Sequence, residues 1–269
     1  MNIDVSFVSG ADPEEFKREI RANTKLIYLE SPSSSLFLLQ DIKKIAEIAK
    51  EKNIKTIIDN TWATPIFQKP LSMGIDIEVH SCSKYIGGHS DVVAGVVIGK
   101  TKDIDQIFLN EHALLGSRIS AFESWLIMRS LRTLPIRMMK HQENAMKVAE
   151  FLEGHPRIKV VNYPGLKSYP QYDLAKEQMS GYSGLLSFII DINNIALVKK
   201  FVNSLKLFKI GISWGGYESL VFAPVIALKE FTEEKLMSMG IDKAMVRISV
   251  GLENHIDLIN DLDNALMKI

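Results

Sequence analysis

Residues 80–91 read HSCSKYIGGHSD and place one lysine, Lys84, among small hydroxyl residues, a cysteine and a glycine pair. Lysines usually lie on solvated faces beside other charges, whereas this one follows the run Asp76-Ile77-Glu78-Val79-His80. An amine becomes a nucleophile where a low-dielectric setting disfavours its charged form. Gly87 and Gly88 allow unusual backbone angles and the close approach of a ligand. Ser81 and Ser83 offer hydroxyl groups suited to phosphate, although seryl residues before a loop are common. Asp59 ends another apolar run and is followed by Asn60-Thr61-Trp62. An acid at the carboxyl end of a strand lies where open parallel sheets place their ligands. The same Asp-Asn pair is also ordinary turn chemistry.

The elements that must position these groups follow from periodicity. Apolar runs predict strands over 24–29, 54–59, 76–80 and 92–98. Between the first two, Asp41 caps a helix to about Lys52, with Ile42, Ile45, Ala46 and Ala49 on one face. This alternation indicates an α/β sheet covered on both faces. A helical stretch begins near Ala121, is interrupted at Pro135 and resumes to about Glu153. Further strands are expected at 157–161, 184–190 and 245–250, with a helix near 195–205 and a last helix striped by Ile259, Leu262, Leu266 and Ile269. A boundary near residue 131 would divide a large α/β domain, 1–131, from a smaller α+β domain, 132–269.

Composition narrows the chemistry. The 269 residues hold 32 Lys plus Arg against 32 Asp plus Glu, so no global field favours nucleic acid or an anionic membrane. The single cysteine, Cys82, cannot close an internal disulfide and fits a reducing, cytoplasmic compartment. No apolar run is long enough to cross a bilayer, and residues 1–10 lack the pattern of a signal peptide. No metal cluster is indicated.

A lysine, a facing carboxylate and phosphate-holding hydroxyls are together what an aldehyde cofactor such as pyridoxal 5'-phosphate needs. Five segments carry this further: TKLIYLESP (24–32), IIDNTWATP (57–65), HSCSKYIGGHSDVVAGV (80–96), SWGGYESL (213–220) and VRISVGLEN (246–254). In these, and in their order, the chain resembles the Cys/Met-metabolism family of pyridoxal-phosphate enzymes, which includes cystathionine β-lyase, cystathionine γ-synthase and γ-lyase, and methionine γ-lyase. The resemblance implies fold type I, the aspartate-aminotransferase-like fold. It implies that Lys84 carries the cofactor as a Schiff base and moves protons at the substrate Cα, and that Asp59 pairs with the pyridine nitrogen. Ser81 and Ser83 match positions that hold the cofactor phosphate. Arg247 matches the arginine that grips the substrate α-carboxylate, a task suited to a planar fork. Ser213 matches a carboxylate-contacting position, and Trp214 beside it would line the substrate pocket. Cys82 is expected to pack, His89 and Asp91 to order the loop, and Trp62 to serve as a packing aromatic.

The SWGGYESL segment is similar to the cystathionine β-lyase version, which implies β-elimination from cystathionine or a related sulfur amino acid. γ-Elimination or γ-replacement is the alternative within the family. Family members carry a long N-terminal part before the segment that here begins at Met1, with a phosphate-cradling helix N-terminus and a ring-stacking tyrosine. Arg18 and Arg21 lie in a helix with a solvated face and do not replace them. The expectation is therefore a truncated large domain working as a homodimer or homotetramer, or with a complementing N-terminal fragment, or else a fragment inactive on its own. Ser33-Ser34-Ser35 also stands where relatives often have Asn-Pro, which puts a contact to the cofactor's ring hydroxyl in doubt.

Overall fold

The computed structural model describes residues 3–116, 118–228 and 231–269. Strands β1 (Leu26–Glu30), β2 (Lys55–Asp59), β3 (Ile77–Ser81) and β4 (Gly95–Gly99) form one sheet in sequential order. The first three run parallel and β4 returns antiparallel to β3. Between β1 and β2 lies the helix Ile42–Glu51, whose first turn is closed by the Asp41 carboxylate accepting from the Lys44 amide. This is the cap its sequence predicts, since a helix start leaves its amides without partners.

The expected covering of both sheet faces is not what the structure shows. Ile27, Leu29 and Ile58 point to one face and pack with Phe16, Ile42, Ile45 and Ala49. The opposite face carries Leu26, Tyr28 and Val97, which are 47%, 57% and 43% exposed. The strands' period of two explains the split, because alternate residues turn to opposite faces. The helices Pro13–Glu19 and Ile42–Glu51 put their apolar residues on the first face.

The predicted strand 92–98 is also displaced, beginning at Gly95 rather than Val92. Residues 92–94 instead lead from the Lys84 loop into the sheet, with Ala94 receiving the Cys82 amide at 2.8 Å. The helical stretch after residue 120 breaks near Pro135, as expected. One helix, Ala121–Leu131, ends before it, and Pro135 lies in the first turn of the next, Leu134–Gly154, where its missing N–H is no loss.

A second sheet has the order β5-β6-β9-β8-β7. Its strands are β5 (Ile158–Asn162), β6 (Leu185–Ile190), β7 (Lys209–Ile210), β8 (Leu220–Phe222) and β9 (Met245–Ser249). The short β7 and β8 and the helix Tyr172–Gln178 carry too little pattern to be read from sequence. All five residues of β9 are buried. One apolar cluster joins the halves of the chain, running from Phe37, Trp62 and Tyr85 through Met138 and Leu152 to Phe188, Val246 and Leu262.

Candidate active site

The parallel register sets the site's geometry. Glu30 lies beside Asp59 at the carboxyl ends of β1 and β2. Asp59 aligns with Val79 on β3, so Ser81, two residues on, points to the same face. Asp59, Ser81 and Glu30 therefore stand at one end of the sheet face that also displays Tyr28 and Val97. With Ser34, Thr61, Trp62, Lys84 and Trp214 they line a cavity of about 130 Å³.

The strand-tip turns are tightly tied. The Asp59 carboxylate accepts the Thr61 amide at 2.9 Å, and the Thr61 hydroxyl accepts the Ser81 amide at 2.8 Å. Behind them, on the opposite face, Asn60 donates to Glu78 at 2.6 Å, and the His80 ring nitrogen Nε2 lies 2.7 Å from the same carboxylate oxygen. All three residues are buried. This polar layer was not foreseen, because a glutamate and a histidine two apart in a strand carry no sequence sign of their partners.

After β3 the chain folds into a compact turn. Amides of Gly87 and Gly88 donate to the carbonyls of Cys82 and Lys84, each at 2.7 Å. Lys84 sits on this turn and sends Nζ to the Ser213 hydroxyl at 2.8 Å, with Nζ 5.4 Å from the centre of the Trp214 ring. Gly215, at φ +81°, passes so close that a β-carbon there would lie 2.7 Å from the Tyr85 amide nitrogen. Glycine alone suits both that angle and that approach. Burial, with the charge of Arg247 adding to it, pushes the Lys84 amine below the ordinary lysine value. That is the direction a nucleophilic amine requires.

Arg247, in β9, is held with Nη1 donating to the Ser34 carbonyl at 3.2 Å and Nη2 to the Ile212 carbonyl at 2.6 Å. Its guanidinium carbon lies 4.9 Å from the centre of the Phe222 ring. The sequence thus singled out six residues that meet here: Asp59 and Ser81 from the sheet, Lys84 from the turn after β3, Ser213 and Trp214 from the loop before β8, and Arg247 from β9. Ser83 is turned elsewhere, its hydroxyl accepting the Ala94 amide at 3.1 Å. His89 orders the turn, with Nδ1 2.6 Å from the Gly87 carbonyl. Cys82 is buried, and burial raises its thiol pKa. Trp62 packs and donates Nε1–H to the Leu185 carbonyl at 3.1 Å, while also forming a cavity wall.

Glu30, Ser34 and Thr61 are cavity residues to which sequence reasoning gave no role. Glu30 could have been found from its place at a strand tip, one strand over from Asp59. Desolvation raises its carboxyl pKa, a hydrogen bond with Ser34 opposes this, and the Asp59 charge adds to it.

These residues fit pyridoxal phosphate. An amine of lowered pKa, a carboxylate and a hydroxyl open into one cavity walled by indole rings. Among the described residues no group of His, Cys, Asp and Glu suits a metal ion.

The sequence profile described as "Cys/Met metabolism PLP-dependent enzyme" matches residues 1–267. The chain is 43% identical to L-methionine gamma-lyase of Treponema denticola over 99% of its own length and 67% of the relative's. It is 40% identical to cystathionine gamma-lyase of Bacillus subtilis, covering all of this chain and 71% of that one. With cystathionine beta-lyase of Coxiella burnetii the identity is 41%, over 98% of this chain and 68% of the relative. The chain thus spans about two thirds of the length of these relatives.

Proposed function

Because the chain belongs to the Cys/Met metabolism PLP-dependent enzymes, a family of carbon–sulfur lyases among its relatives here, we propose that it catalyses β-elimination from cystathionine. The products would be homocysteine, pyruvate and ammonia. The observation that carries this is the Lys84 amine, opening into the Asp59 cavity and tethered to Ser213. When bound, pyridoxal phosphate supplies an aldehyde that condenses with amines and a ring that takes up electron density from the substrate α-carbon.

The chain's own residues do the rest. Lys84 would hold the aldehyde group and would move the proton at the substrate Cα through Nζ. The Asp59 carboxylate would keep a proton on the cofactor's ring nitrogen, because a nearby negative charge favours the protonated form. Ser81 would offer its hydroxyl to the phosphate, while Ser83 is engaged with Ala94. Arg247 and Ser213 take the substrate carboxylate, and Trp214 shields Nζ from water. The β reading draws on the SWGGYESL segment, which is similar to the cystathionine β-lyase version.

A second reading concerns the assembly. The cavity lies on the sheet face that exposes Leu26, Tyr28 and Val97, and parallel sheets bury both faces. The chain then works as a homodimer or homotetramer, or with a complementing segment, that covers this face. No described helix is long and apolar enough to cross a membrane, and the reaction proposed is that of a cytoplasmic enzyme.

Protein mixed with pyridoxal phosphate should develop a visible absorption band that borohydride fixes on Lys84. Pyruvate rather than 2-oxobutyrate from cystathionine establishes the β branch, and 2-oxobutyrate overturns it. Light scattering across a dilution series, with and without the cofactor, tests the assembly. A monomer that turns over at full rate would refute that part.

A further inference from the structure

Arg137 is a buried cation whose described partners are backbone carbonyls and hydroxyls. It projects from the helix Leu134–Gly154 and is 6% exposed. Its Nη1 donates to the Tyr85 carbonyl at 2.6 Å. Its Nη2 reaches the carbonyls of Ile86 at 3.3 Å and Ser130 at 3.1 Å, and the Ser130 hydroxyl at 3.0 Å. Nε donates to the Thr133 hydroxyl at 3.1 Å, which fixes the plane of the group. The Ser130 hydroxyl in turn donates to the Gly87 carbonyl.

Three successive carbonyls of the turn after Lys84, those of Tyr85, Ile86 and Gly87, are thus taken up by Arg137 and Ser130. The fit is close: a β-carbon on Gly88, at φ +67°, would lie 2.1 Å from Nη1. Buried carbonyls in a turn must find donors, and ordinary chain geometry would use amides or water. A guanidinium offers five N–H groups in a fixed plane, so it sets the turn's position as well as satisfying it. On its other side the turn is pressed by Gly215 and pinned by the Gly184 amide donating to the Tyr85 hydroxyl at 2.8 Å. Lys84 is the residue at the head of this turn.

We infer that Arg137, acting with Ser130, is a positioning residue for Lys84: it clamps the turn from behind so that the amine stands at Ser213 and inside the cavity. This rests on the reading of Lys84 as the cofactor-holding amine. Arg137 touches neither substrate nor cofactor. Loosening the clamp lets Nζ leave the shelter of Trp214 and the neighbourhood of Arg247 for water, while Asp59 and Glu30, which line the same cavity, stay where their own strands hold them.

The test reads Lys84 directly, without cofactor or turnover. The chain is labelled with acetic anhydride across pH, and each lysine's modification midpoint is measured by peptide mass spectrometry. The exposed Lys25 and Lys159 serve as internal references. In the parent protein the Lys84 midpoint lies below theirs. In Arg137→Lys, which keeps the charge and loses the fork, and in Ser130→Ala, the Lys84 midpoint rises so that about threefold less neutral amine is present at a fixed pH. The reference lysines do not move. Leu152→Ala, a core change in the same helix, lowers the melting temperature and leaves the Lys84 midpoint in place.

An unchanged Lys84 midpoint in the folded variants overturns the inference. If Arg137→Lys does not fold, Ser130→Ala decides alone. Borohydride trapping of pyridoxal phosphate on the parent protein separates the two claims. An adduct on another lysine defeats the reading of Lys84 and leaves the Arg137 result standing. An adduct on Lys84 together with unmoved midpoints defeats the positioning role alone.

Discussion

Arg247→Lys keeps a positive charge in β9 and removes the planar fork. The guanidinium uses two nitrogens to hold the carbonyls of Ser34 and Ile212 and rests on the Phe222 ring. A single ammonium cannot hold both carbonyls and also present a pair of parallel donors to a carboxylate. Losing one charge-assisted hydrogen bond to the substrate costs about 1.5–3 kcal/mol, which weakens binding roughly 10- to 150-fold. A carbonyl left buried without a donor costs about 1–3 kcal/mol of fold stability as well, so the assay is run well below the melting transition. An S-alkyl cysteine and its amide, which lacks the carboxylate, are compared as substrates by their KM for release of the alkyl thiol. The parent enzyme should prefer the acid by about the factor above, and Arg247→Lys should lose most of that preference while binding the amide nearly as before. This comparison isolates the pair, because the stability loss acts on both ligands alike. If the preference for the acid survives unchanged, Arg247 does not hold the carboxylate and the assignment fails.

Lys84→Ala should abolish the borohydride-fixed adduct and lower kcat on the order of 10²–10⁴-fold, the usual worth of a positioned proton-transfer group; an adduct of normal yield on Lys84→Ala protein refutes the assignment. Asp59→Asn keeps the size and removes the charge facing the cavity, and should lower kcat about 10²–10³-fold with the melting temperature little changed. Asp261 is buried and its carboxylate accepts the amides of Lys206, Leu207 and Phe208 at 2.8–3.3 Å; Asp261→Ala should cost about 3 kcal/mol, read as a lower urea midpoint. Burial lowers the pKa of His141 to about 4, so the unfolded chain binds a proton there that the folded chain refuses. Stability from this group is complete above the ordinary value of 6.5 and is lost as pH falls toward 4, by at most about 3 kcal/mol. His141→Gln should flatten the urea midpoint over that window.

Much of the scaffold was legible because its signals are local. The helix Ile42–Glu51 was marked by its Asp41 cap and its i, i+3, i+4, i+7 stripe, and β2 and β6 by short apolar runs. What escaped depended on distant partners. The short strands β7 and β8, of two and three residues, have no periodicity to read; β8 exists because β9 offers it an edge, and β7 because β8 does. The strand expected from Val92 begins at Gly95 because residues 92–94 close the lysine turn, a tertiary demand that overrides an apolar run.

For the site, residue types and spacing pointed to an amine, a carboxylate and phosphate-suited hydroxyls of one chemistry, and the family resemblance added Arg247. Only the tertiary structure decided that Asp59 and Ser81 share a sheet face with Glu30, because that depends on the register between strands and its period of two. It also decided that this face is left open at Leu26, Tyr28 and Val97, since the helix Ile42–Glu51 packs on the other. Finally, it turned Ser83 toward Ala94 and put Arg137, more than fifty residues further along the chain, behind the Lys84 turn. Those contacts cross the whole fold, and no local pattern records them.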